Sequence, residues 1–144
     1  MKYISHRGNL KGPDPDLENE PGYIQDALDA GFDVEIDVWY INGKFFLGHD
    51  EPVYDIGENF LKDKRVWCHA KNPEALEAML KADIHCFWHE NDERTLTSRG
   101  FVWTYPYKAL VNGSVVVILD KELNYEYVSR AVAVCGDYVQ SWRQ

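Results

Sequence analysis

The chain is 144 residues long, 45% apolar and 14% aromatic, with 15 Lys and Arg against 24 Asp and Glu, a net charge of −9. That composition describes a single globular domain over residues 1–144 with enough apolar side chains to bury a core. The acidic balance excludes a protein that grips nucleic acid or anionic lipid with a coat of basic residues. The three cysteines, Cys68, Cys86 and Cys135, are too few and wrongly spaced for a disulfide framework. No apolar stretch reaches membrane-spanning length, and Met1 to His6 runs directly into a strand pattern, so the expected location is cytoplasmic, with no stable membrane association.

Apolar or aromatic runs bounded by turn residues predict strands beginning near Tyr3, Asp33, Arg65, Ile84, Phe101, Val115 and Asp137. Between the first two, Pro21 at a first helical position, Ile24, Ala27 and Leu28 on one face, and Gly31 as a stop predict a helix. Asn42-Gly43 before Lys44 to Leu47 predicts a hairpin turn and a return strand. A second helix is predicted from Pro73 to Ala82, capped by Asn72, with Leu76, Met79 and Leu80 as its apolar face, and a third from Leu123 to Val134. Alternating strands and helices predict a parallel α/β sheet, whose working residues gather at the carboxyl ends of strands.

Period-two alternation over Asp33 to Val38 puts Val34, Ile36 and Val38 on one face and Asp33, Glu35 and Asp37 on the other. Carboxylates crowded on the inner face of a sheet repel one another and lose hydration, a conflict that a divalent cation removes; oxygen ligands favour magnesium or calcium. The first strand ends in His6-Arg7-Gly8, a proton-transfer group, a fork-shaped anion ligand and a residue that allows a sharp turn. A second histidine, in Gly48-His49-Asp50, follows the hairpin. On the third strand, Trp67, His69 and Lys71 share the face opposite Val66, Cys68 and Ala70, which aims His69 and Lys71 at the same interior as Glu35 and Asp37. The same alternation argues against a structural zinc site built from Cys68, His69, His85, Cys86 and His89, because neighbouring ligands point to opposite faces.

Taken in order, His6-Arg7-Gly8, Glu18-Asn19, Ala27 and Gly31 leading into Glu35-x-Asp37-Val38, Asn42-Gly43 and His49-Asp50 resemble the glycerophosphodiester phosphodiesterase family. The resemblance runs from Ile4 to Lys71, about the first half of the chain. It implies a (β/α) barrel of the TIM type and metal-dependent hydrolysis of a small-molecule phosphodiester, first of all a glycerophosphodiester, with a role in lipid metabolism. It also implies His6 and His49 as the acid and base pair, Arg7 as a phosphate ligand, and Glu35 and Asp37 as metal ligands. The family carries Glu-x-Lys on its third strand, whereas this chain has His69-Ala70-Lys71. His69 then becomes the third metal ligand, which adds manganese or zinc to the candidate cations, and Lys71 a phosphate ligand. The same departure supports an alternative, a catalytically inactive phosphodiesterase-like binding or regulatory module. Trp103, Tyr105, Asp120 and Trp142 are the candidates for lining the mouth of the site.

A complete barrel of this kind takes about 250 residues. The chain therefore predicts a reduced TIM-like barrel of about seven or eight mostly parallel strands, with helices missing or shortened in its C-terminal half. Bare apolar strand faces such as Val115 to Ile118 would then promote a homo-oligomer.

Overall fold

The computed structural model describes residues 1–143. Its elements in chain order are β1 (Lys2–His6), α1 (Pro21–Asp29), β2 (Asp33–Ile41), β3 (Lys44–Leu47), β4 (Tyr54–Ile56), α2 (Glu58–Leu61), β5 (Val66–Ala70), α3 (Pro73–Lys81), β6 (Cys86–Phe87), β7 (Arg94–Leu96), β8 (Val102–Thr104), β9 (Ser114–Ile118), α4 (Tyr125–Val128), β10 (Ala133–Gly136) and α5 (Val139–Trp142). The longer helices form where propensity and capping agree. In α1, Pro21 opens the helix, the Glu20 carboxylate accepts from the Gly22 and Tyr23 amides, and Ile24, Ala27 and Leu28 are buried. In α3, the Asn72 side chain accepts from the Ala75 amide. Its buried face is Ala75 and Met79, while Leu80, expected inside, is 54% exposed.

The ten strands form one mixed sheet. β1 lies parallel to β2 on one side and β10 on the other; β10 continues to β9 and β9 to β8, while β2 continues through β5 to β6, all parallel. β3 and β4 fold back antiparallel from β2, and β7 pairs antiparallel with β8. At the β2–β3 turn, Asn42 and Gly43 have φ of 51° and 79°, the left-handed pair that a two-residue hairpin turn demands.

This architecture corrects the expected fold. The sheet is a curled, mixed half-barrel of ten strands rather than a TIM-like barrel of parallel strands. Among the described residues β6 has no strand ladder to β7 or β8; isolated bonds cross instead, from the Ser98 amide to the Cys86 carbonyl (2.8 Å) and from the Thr95 hydroxyl to the Trp88 carbonyl (2.7 Å). Length explains part of this: a parallel crossover takes about a dozen residues or more, whereas a hairpin closes in two, so the links β2–β3, β3–β4 and β7–β8 turn back antiparallel, while residues 105–113 still join β8 to β9 in parallel without a helix. Sequence reading also missed β4 and β7. The helix expected from Leu123 to Val134 shrinks to α4, because Ala133–Gly136 forms β10, and the strand expected to begin at Asp137 ends just before it.

Three apolar groups hold the sheet. Val34, Ile36 and Val38 of β2 pack with Cys68 of β5 and with Ile24, Leu28, Ala75 and Met79 of the helices. Val116 and Ile118 pack with Val128, Val139 and Trp142 on the other flank. The concave interior holds Ile4, Trp67, Phe87, Trp103, Val115 and Cys135. Val115, Val116 and Ile118 are at most 2% exposed and Val117 is half-buried, so this strand does not present the bare apolar face on which self-association was expected. The three cysteines are free and buried. Among the described residues no helix is long and apolar enough to cross a membrane.

Candidate metal and proton-transfer site

Strand register assembles the site. His6, the last residue of β1, sits beside Glu35 of β2, and Ser5 beside Gly136 of β10, so that Asp137 follows immediately next to His6. Across the next ladder Asp37 pairs with His69 of β5. Because alternate residues share a face, His6, Glu35, Asp37 and His69 all point into the concave interior at the carboxyl ends of neighbouring strands. Asp33 shares that face but lies at the other end, where it accepts the Trp67 indole N–H (2.9 Å) and pairs with Lys2 (3.3 Å).

Glu35, Asp37 and His69 are buried, and one ligating atom from each lies within 4.8 Å of the others. Asp37 is surrounded by donors: Oδ1 faces His69 Nδ1 at 3.1 Å, Oδ2 accepts from the Asn19 amide at 2.9 Å, and Arg7 Nε, which makes no hydrogen bond, is 3.1 Å from Oδ2. Burial alone would raise its pKa, but the His69 hydrogen bond, the Arg7 charge and Asn19 outweigh burial and hold the carboxyl well below the ordinary range. Glu35 is the opposite case. Burial and then the neighbouring Asp37 charge push its pKa up, only partly offset by His6, Arg7 and His69, and its Oε1 has no hydrogen-bond partner. An orphaned buried carboxylate oxygen beside a second carboxylate and an imidazole is the donor set that a divalent cation fits.

His6 donates Nδ1–H to Asp137 Oδ1 at 2.8 Å, which leaves Nε2 facing Glu35, 3.9 Å from Oε1. Burial disfavours the charged ring, but the Asp137 bond and the Glu35 charge win, so the His6 pKa is raised. Asp137 would likewise be raised by burial, yet His6 and the Asn9 amide (2.9 Å) lower it. Arg7 reaches from β1 with a left-handed backbone (φ 58°), and Asn19 has the same unusual conformation (φ 67°). The two are joined by the Asn19 amide to the Arg7 carbonyl (3.0 Å), and their side chains meet at Asp37. Such strain persists where surrounding contacts over-determine it. Gly8 completes the turn: its φ is 97°, and a Cβ there would lie 2.5 Å from the Tyr23 ring.

The remaining expected residues are less central. His49 is exposed on the loop after β3, bonded to Asp50 (2.8 Å), and lines a cleft of about 340 Å³ together with Arg7, Glu18, Asn19 and Tyr54. Lys71 follows β5, donates its amide to the Val38 carbonyl (2.8 Å), and its side chain makes no hydrogen bond or ion pair with the acidic group among the described residues. Of the expected mouth residues, Trp103 is core, stacked on Phe87 at 4.5 Å; Asp120 takes the Tyr107 hydroxyl; Trp142 packs on the opposite flank. Only Tyr105 approaches the site, with its hydroxyl 3.1 Å from His89 Nδ1. The zinc constellation is not formed: His85 bonds Thr97, and the one candidate metal cluster among the described residues is Glu35-Asp37-His69.

Sequence reading assigned no role to Asn9, Glu18, Asn19, His89 or Asp137. Gly136-Asp137 did carry a signal, because a Cβ at Gly136 would lie 2.2 Å from the Ile118 carbonyl oxygen, so the glycine marks a tightly packed strand end with a carboxylate after it. Comparison with family models, curated proteins and solved structures yields no match for the chain. Nothing in them identifies the chain as a glycerophosphodiester phosphodiesterase: that resemblance rests on the residues from Ile4 to Lys71 alone, and neither a hydrolase class nor lipid metabolism is indicated by the comparisons.

Proposed function

We propose that the chain is a divalent-metal-dependent hydrolase of a small phosphodiester, a glycerophosphodiester being the first candidate. The observation that carries the reading is the buried, unpartnered Glu35 Oε1 within reach of Asp37 and His69, next to a histidine already oriented by Asp137. A cation held by these three residues would supply neutralisation of the phosphate charge, the main barrier to attack on an anion. Arg7, half-buried between Asp37 and Glu18 on the cleft wall, adds positive charge on the side where His49 stands. Asp137 keeps the His6 Nδ1–H engaged, so proton transfer to or from a substrate oxygen falls to Nε2. His49, on the cleft rim, is the second proton-transfer group, an exposed loop side chain that Asp50 orients. Lys71 contributes as a phosphate ligand from the end of β5.

The test is a hydrolysis screen of glycerophosphodiesters, lysophospholipids and an aryl phosphodiester with magnesium, calcium, manganese and zinc. Metal-dependent turnover that His6→Ala and His49→Ala both abolish, with circular dichroism unchanged, supports the reading. Undiminished metal-dependent hydrolysis in both variants overturns it, and a folded chain that binds metal but hydrolyses nothing favours the binding-module alternative.

A further inference from the structure

His69 stands where an oxygen ligand was expected, and its surroundings determine how it presents itself. The ring lies parallel to Phe87 (1° between planes, centroids 5.4 Å apart) and against His89 (14°, 4.3 Å). Its Nδ1 is 3.1 Å from Asp37 Oδ1 and its Nε2 3.3 Å from the His89 carbonyl oxygen; both oxygens only accept, so the metal-free ring donates from Nδ1 to Asp37, and a cation taking the place of that hydrogen would find an acceptor for Nε2–H already in position. His89 is fixed in turn by Tyr105, whose hydroxyl lies 3.1 Å from His89 Nδ1 and donates to the Glu90 carbonyl at 2.6 Å. The segment after β6 thus clamps His69 from its face and from its far nitrogen, as outer partners of metal-bound histidines do.

The oxygen side of the site is thin. Asp37 and Glu35 both feel the Arg7 guanidinium charge, and Asp37 Oδ2 already accepts from Asn19 with Arg7 Nε 3.1 Å away. Calcium gathers about six to eight oxygens and magnesium demands octahedral oxygen ligation, whereas imidazole suits zinc and its neighbours in the transition series. Resting on the reading that Glu35, Asp37 and His69 hold a cation, we propose that the site selects a borderline transition-metal ion of the zinc and cobalt class over magnesium and calcium. His89 is a positioning residue that presents His69 Nδ1.

Calorimetry of the metal-free full chain with zinc, cobalt, magnesium and calcium salts tests this. One equivalent of zinc or cobalt is expected to bind roughly 100-fold or more tightly than magnesium or calcium, with cobalt showing ligand-field bands of a nitrogen-containing site. His69→Glu should shrink that preference at least tenfold. His89→Ala, which keeps the backbone carbonyl but loses the ring stacked on His69, should weaken zinc and cobalt by about tenfold and shift the cobalt bands, while His89→Phe, which restores the stack, restores them. A zinc preference unchanged in His69→Glu, or cobalt bands indifferent to His89→Ala, overturns this proposal and leaves the metal site standing. Failure of all four ions to bind, or binding indifferent to Glu35→Gln, overturns the site itself and the proposal with it.

Discussion

His85 gives the sharpest quantitative test of the interior. It is 4% exposed, its ring 4.4 Å from Trp67 and 5.8 Å from Phe101. The Thr97 hydroxyl accepts the Phe101 amide (3.2 Å), which leaves its own proton for His85 Nε2 at 2.8 Å, an arrangement that serves a neutral ring. Burial first, then the positive charges of Arg99 and Lys2, push the pKa from 6.5 down to about 4. Asp33, which accepts the N–H of the Trp67 indole beside His85, is also paired with Lys2. The unfolded chain therefore takes up a proton near pH 6.5 and the native chain only near pH 4. Stability from His85 is complete above pH 6.5 and drains away as the pH falls through that window. Linkage over the window gives a loss of about 2 kcal/mol between pH 7 and pH 5, or roughly 4–8 °C in Tm for a chain of this size. His85→Gln keeps a hydrogen-bonding side chain without the titration. In urea unfolding, the advantage of the parent chain over His85→Gln should shrink by about 2 kcal/mol on going from pH 7 to pH 5. Parallel profiles would refute a buried neutral His85.

Other substitutions probe separate parts of the fold. In the absence of metal, Glu35→Gln should raise stability by about 1–3 kcal/mol in chemical unfolding, because it removes a buried charge whose Oε1 has no partner; a clear loss would mean that the carboxylate is held by something other than its repulsive surroundings. Asp137→Asn should cut kcat by about 100-fold with little change in KM, by removing the acceptor that orients His6; a drop under threefold would remove Asp137 from proton transfer. Asn72→Ala should cost roughly 2–3 kcal/mol in thermal or urea unfolding, since its side chain caps α3 and bonds both the amide and the carbonyl of Tyr40. Gly136→Ala should cost several kcal/mol, on the order of 3 or more, because the new Cβ would meet the Ile118 carbonyl at 2.2 Å and the Trp142 ring at 2.4 Å; a change within 1 kcal/mol, as ordinary for a tolerated site, would show that β9 and β10 are less tightly joined.

Period-two alternation made half of this site legible. It placed Glu35, Asp37 and His69 on one face and Val34, Ile36 and Cys68 on the other, because a strand covered by helices on one side must divide in that way. It left unread which strands lie side by side. That Asp37 meets His69, and that Asp137 reaches His6 from the far end of the chain, are facts of register, set by packing across the sheet rather than by any local pattern. The same limit hid β4 and β7. Tyr54–Ile56 and Arg94–Leu96 are three residues each and carry too little alternation to stand out, yet with hairpin partners already in place they pair at small entropic cost.

The corrected fold and the assembled site are compatible for a topological reason. His6, Glu35, Asp37, His69 and Asp137 come from β1, β2, β5 and the end of β10, and these four strands are consecutive neighbours joined by parallel ladders, β10 to β1 to β2 to β5. Parallel neighbours bring their carboxyl ends to the same edge, so four strands suffice to gather two carboxylates, two imidazoles and an orienting aspartate. The hairpins β3–β4 and β7–β8 lie outside that run and supply none of the five residues, although Tyr54 of β4 lines the cleft beside Arg7 and His49. The price of the shorter architecture falls on enclosure: with β6 only loosely tied to β7, the wall beside His69 depends on Phe87, His89 and Tyr105 rather than on a continuous ladder. Substitutions in that wall should therefore reach the site through His69, whereas substitutions in β4 should reach it through Tyr54 on the cleft wall and through the His49 loop.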